Sequence, residues 1–182
     1  MKYRIFPLAI AIAFASIALG QTWPNQITQE ERDYIERIGF EQKITRGITS
    51  PPDYDNLRAA AEWEEIEALT IAWEGFECIL KQITAAAVTE CKVIIFTESP
   101  NSTSNYLTGS SCGGPVSLEN VEIVNVDLNS IWIRDYGANT VYGSWNDDRI
   151  LVDWLYNRPR PDDDVIPDEL GDHLNIDVYS TT

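Results

Sequence analysis

At 182 residues the chain is long enough for one domain with a sizeable core, and a hydrophobic content of 44% agrees with that. Its formal charge of -16, unrelieved by any Lys/Arg-rich block, repels polyanions at long range and argues against a nucleic-acid partner. The same surplus of Asp and Glu favours solubility and attracts cationic ligands such as arginine-like groups.

Lys2 and Arg4 precede an apolar run from Ile5 to Leu19, and the small residues Ala18 and Gly20 sit where a signal peptidase reads before a cut at Gln21. This predicts a secretory signal peptide over residues 1–20 and an extracellular, periplasmic or cell-surface destination. A retained anchor is the alternative, but the run is short beside the roughly 20 apolar residues a span needs. With the signal removed, no other segment is apolar enough to cross a membrane. Cys78, Cys91 and Cys112 are an odd set, so at least one thiol stays unpaired. Cys78 and Cys91 read as core residues, and Cys112, in Gly109-Ser110-Ser111-Cys112-Gly113-Gly114, is either paired or a free loop thiol. None of the three has metal-ligand spacing, and His173 is the only imidazole, so a zinc site of the Cys/His type is not expected.

After the signal, Thr28 and Glu31 form a capping box for a helix that Tyr34, Ile35 and Ile38 stripe and Gly39 can end. Residues 21–57 read as an N-terminal arm or pro-segment, with a break at Ser50-Pro51-Pro52-Asp53-Tyr54-Asp55 before the domain begins near Arg58. Ala68 to Trp73 predicts a buried strand, and Gly75 to Thr89 a helix with Phe76, Ile79, Leu80, Ile83 and Ala87 inward. Lys92 to Thr97 is a second strand, Ser99 to Pro115 a Ser/Asn/Gly-rich connection, and Val121 to Val126 a third strand. Alternating strands and helices predict an α/β fold. Asn139 to Tyr142 and Arg149 to Trp154 form a hairpin by spacing, and a short helix from Ile166 to His173 leads to a strand beginning near Asp177.

Two stretches invite a chemical reading. Ile131-Trp132-Ile133-Arg134-Asp135-Tyr136-Gly137 packs an acid and a base between aromatics after a strand, the pattern of a binding loop. Residue types alone read Arg134 and Asp135 as an exposed ion pair, a contact worth little, with Trp132 as a half-buried anchor. Farther on, extended backbone around Pro159 puts Arg158 and Arg160 on one side, where they can converge on a carboxylate or pair with Asp162, Asp163 and Asp164. The three Asp lack the pattern of a dedicated calcium loop and read as a solvated run. No Gly-rich phosphate loop or Gly-x-Ser-x-Gly elbow occurs.

Ala61 to Ala68 with Ile71-Ala72-Trp73, then Trp132 to Gly137, then Asn157-Arg158-Pro159-Arg160-Pro161 together resemble the secreted bacterial peptidylarginine deiminases and the related agmatine deiminases. The second stretch is specific to that family, and the third points to its peptidylarginine branch. The resemblance implies a five-bladed α/β propeller of ββαβ modules, of which residues 58–182 would be the N-terminal half. It implies a guanidino-group hydrolase that needs no cofactor and converts arginine to citrulline and ammonia. A cysteine thiolate attacks the guanidinium carbon, a histidine serves as acid and base, and water hydrolyses the thiouronium.

Carried over, Asp135 accepts the substrate guanidinium and Trp132 walls it. Arg158 and Arg160 bind an α-carboxylate, which implies arginine at a peptide C-terminus. Agmatine, the alternative small guanidino substrate on a route to putrescine, has no carboxylate. Ala138 departs from the proline common after the matching glycine. None of the three cysteines stands in the nucleophile's place, and His173 lacks the glycine-rich surroundings of the family's histidine. The expectation is therefore an inactive N-terminal half of an enzyme. The alternative from another class is a non-catalytic secreted module that captures arginine-bearing peptides.

Overall fold

A computed structural model describes residues 26–39, 47–50, 53–143 and 148–180. Residues 1–20, which carry the expected signal peptide, and the hairpin turn at 144–147 lie outside them.

The arm begins with α1 (Gln29–Ile38), where both halves of the Thr28/Glu31 capping box are present and Gly39 ends the helix at a φ of 86°. That positive φ is one glycine adopts at least cost. β1 (Arg58–Ala59) comes next, followed by β2 (Ala68–Ala72) and α2 (Glu77–Ala87). β3 (Lys92–Thr97), α3 (Pro100–Thr108) and β4 (Val121–Asn125) come next. β2, β3 and β4 form a parallel sheet in that order, with β3 central. Its side chains from Val93 to Thr97 are all buried, as a central parallel strand covered on both faces requires.

The short α4 (Ile133–Tyr136) leads into β5 (Asn139–Gly143) and β6 (Asp148–Asp153), an antiparallel pair. Two helices follow, α5 (Pro161–Asp164) and α6 (Ile166–Leu174), and then β7 (Val178–Ser180) returns parallel to β6. The second sheet has the order β1-β5-β6-β7, and β5, β6, the helices α5 and α6, and β7 follow in chain order as a ββαβ-type unit. Ile48 of the arm bridges the outer flank of β7: its amide donates to the Val178 carbonyl and its carbonyl accepts from the Ser180 amide. Among the described residues neither sheet closes on itself.

Period-two alternation along β3 builds two cores. Ile94 and Phe96 join Ala72, Leu151, Ile166, Leu170 and Val178, which welds the parallel sheet to the second sheet and α6. Val93 and Ile95 face the other way, onto Leu80, Leu107 and Val116.

Several expectations are corrected. The Ser99–Pro115 connection contains α3: Pro100 sits in its first turn, Leu107 is fully buried, and the Thr103 hydroxyl meets that of Thr97 at 2.9 Å. Tertiary packing there overrides weak helix propensity. In α2 the inward face is Leu80, Lys81 and Thr84, whereas Phe76, Ile79 and Ile83 are exposed. The Lys81 ammonium reaches the Tyr106 and Gly109 carbonyls at 2.9 and 2.7 Å, so this buried cation caps the end of α3. The Asp run is not solvated, because Asp163 is fully buried.

Cys78 is not a plain core residue. It is joined to Cys112, and Cys91 is the free thiol. A loop closed across 34 residues stabilises by about 2–4 kcal/mol. Alkylation of the unfolded, unreduced protein, read by mass, is expected to label Cys91 alone. Labelling of all three thiols without reductant contradicts the disulfide.

Candidate functional site

The three parallel strands point the same way, so their C-terminal ends share one edge, where open α/β sheets place ligands. Each strand is followed there by an acid: Glu74 after β2, Glu98 after β3, Asp127 after β4. Burial raises the Glu74 carboxyl above its ordinary value, and the charges of Glu98, Glu77 and Asp163 raise it further. Their fields overlap, and the edge is suited to a cation.

The chain leaving β4 is fixed by Asp163. One of its carboxylate oxygens accepts the amides of Asn129 and Ser130, both at 2.9 Å, and the other accepts the Ser130 hydroxyl at 2.7 Å. Burial pushes the Asp163 carboxyl up, against the pull of these donors and of Arg160. Asn129 and Asp162 add a reciprocal pair of bonds at 2.7 and 2.9 Å. The Tyr136 hydroxyl donates to the Ser130 carbonyl at 2.6 Å, and burial holds this phenol protonated.

So anchored, the segment expected as a loop makes the single turn α4, with Trp132 as its N-cap. Gly137 ends it by donating to the Ile133 carbonyl at 2.6 Å, and a Cβ there would lie 2.5 Å from that oxygen. Trp132 is half-buried and packs on the core that welds the two sheets. Asp135 is exposed on the turn. Arg134 lies 3.5 Å from Glu62, with both side chains almost fully exposed.

Arg160 touches Tyr156, and the charge of Asp135 reaches the same ring. The Tyr156 ring stands edge-on to Tyr136, 5.5 Å between centroids, and its hydroxyl accepts from Arg160 Nη1 at 3.3 Å. Burial pushes the Tyr156 phenol above its ordinary value, Arg160 opposes the shift, and the charges of Asp163 and Asp135 add to it. Arg160 is buried, and its Nε donates to Glu31 Oε1 at 2.7 Å. Arg158 is half-buried on the same loop.

Cys91 and His173 lie at the opposite edge. Cys91 directly precedes β3, while His173 Nε2 is 2.6 Å from Glu122, which also holds Lys92 at the first residue of β3.

Sequence reasoning read Asp163 only as part of a solvated run and passed over Tyr156, Asn129 and Ser130, and also Glu74 and Glu98. The last two carried a readable signal, an acid just beyond each parallel strand. Asp163 carried none, because its neighbours Asp162 and Asp164 make it look like part of a surface run. Its replacement in Asp163→Ala orphans three donors, two of them buried on Ser130, and is expected to lower the unfolding free energy by about 1–3 kcal/mol in a denaturant titration. An unchanged midpoint contradicts the anchor.

No family model matches the chain. Solved structures do. The agmatine deiminase of C. jejuni is similar at a TM-score of 0.55 and 21% identity, covering 69% of this chain and 39% of its own. A cysteine-to-serine variant of the C. jejuni agmatine deiminase with substrate bound is similar at 0.57 and 19%, covering 69% and 40%. A protein provisionally assigned as a peptidyl-arginine deiminase is similar at 0.55 and 20%, covering 68% and 40%. The chain spans about 40% of the length of each, and over about two thirds of its own length it carries their fold.

Proposed function

We propose that this chain is the substrate-gripping half of a secreted guanidino-group hydrolase that acts on arginine at a peptide C-terminus. The observation that carries this reading is that Tyr156 holds Arg160 through its hydroxyl and also feels the charge of Asp135, which puts an acid and a guanidinium about one ring. Such a pair suits an arginine with a free α-carboxylate. Asp135 accepts the guanidinium N–H fork, Trp132 walls the planar group, and Arg158 and Arg160 take the carboxylate. The likeness in fold to agmatine and peptidyl-arginine deiminases supports the reaction class.

The bond-breaking groups are not at this edge. Cys78 and Cys112 are joined, and Cys91 and His173 lie across the sheet. In this reading the thiolate and the imidazole belong to the remaining part of a longer protein, and residues 58–182 contribute the N-terminal half of a five-bladed propeller. The ββαβ order of β5, β6, α6 and β7 supports that architecture. In this reading residues 1–20 direct export and residues 21–57 are an N-terminal arm or pro-segment. The Cys78–Cys112 bond fits an oxidising compartment.

Calorimetry tests the reading. The chain is expected to bind a peptide ending in arginine more tightly than its C-terminal amide or agmatine, and to release no ammonia from it. Asp135→Asn is expected to weaken that binding about 10- to 100-fold, as loss of a charge-assisted bond predicts. Equal binding by Asp135→Asn, or ammonia release, overturns it.

A further inference from the structure

Arg160 already holds a carboxylate, and it comes from the arm. We propose that α1 is an autoinhibitory strap whose Glu31 occupies the Arg160 guanidinium in place of the substrate's α-carboxylate. This rests on the role given to Arg160 under the proposed function.

The contact is shaped for that purpose. Arg160 Nε lies 2.7 Å from Glu31 Oε1, and the two side chains are only 10% and 15% exposed. The other oxygen of Glu31 accepts the Thr28 amide at 2.7 Å, inside the capping box. One carboxylate therefore starts the helix and fills the anion clamp, and the helix start fixes where the mimic sits. Burial opposes charge on Glu31, yet the Thr28 amide and Arg160 hold its carboxyl below the ordinary value, so it stays ionised.

Two further features make the strap displaceable. No residue of α1 is fully buried, and its half-buried residues are confined to Glu31, Tyr34 and Ile35, so the helix is held by one narrow face. A cleft of about 370 Å³ opens beside the ion pair, walled by Thr28, Glu30, Glu31 and Tyr34 on the arm and by Asn129, Pro159 and Arg160 on the domain. An incoming carboxylate has an approach to the guanidinium along this cleft. A tethered carboxylate competes with it at high effective concentration, which lowers apparent affinity without touching the guanidinium pocket.

Glu31→Gln separates the strap from the site, because glutamine keeps the capping box but loses the charge. In calorimetry Glu31→Gln is expected to bind the C-terminal-arginine peptide about tenfold more tightly than the unaltered chain, with no gain for the peptide amide. Glu36→Gln, on an exposed position of the same helix, is expected to change nothing. Saturating peptide is also expected to speed amide hydrogen exchange over residues 29–38 of the unaltered chain. If Glu31→Gln and the unaltered chain bind the peptide equally and exchange over 29–38 does not rise, the strap is wrong while the site reading stands. If Glu31→Gln binds no arginine peptide at all, the role of Arg160 fails and the strap fails with it.

Discussion

The buried carboxylate of Asp163 is the constraint on which the site depends. It lies just past Arg160 in the chain, yet its bonds go to the backbone that enters α4. Two stretches far apart in sequence, one carrying Trp132 and Asp135 and the other Arg158 and Arg160, are thereby locked into one body. Tyr136 and Tyr156 fill the space between them edge to face and give each hydroxyl a partner. A buried acid is costly unless several donors meet it, and three do so here. The cost is offset locally, and what results is a fixed relation between opposite charges.

Strand polarity supplies the second constraint. Because β2, β3 and β4 are parallel, whatever follows the strands gathers at one edge and whatever precedes them at the other. Acids follow. Cys91 precedes β3, and the Lys92–Glu122–His173 cluster occupies the same side. The chain thus keeps its free thiol and its imidazole away from the acid edge by topology alone.

Much of the fold was legible for physical reasons that act locally. β3 announced itself as an unbroken Val/Ile/Phe run, and the arm helix by a capping box whose bonds span one turn. Where local preference and tertiary packing disagreed, the sequence misled. Ser, Asn and Thr in α3 favour loops, but Leu107 and Thr103 are drawn into the core. In α2 the largest apolar residues define the wrong face, because Lys81 turns inward to serve the end of α3. Among the site residues, Trp132 and Asp135 were noticed through their company of aromatics. Glu31 went unread as a partner of Arg160, since no pattern in sequence links residues so distant.

The arm's second foothold, Ile48 on β7, has a consequence of its own. Its amide and carbonyl satisfy backbone groups that would otherwise line the open rim of the second sheet. A chain cut back past Ile48 bares a donor and an acceptor on that rim, the unpaired edge that natural sheets keep covered. Loss of the Ile48 bridge therefore turns a finished border of the sheet into an open one.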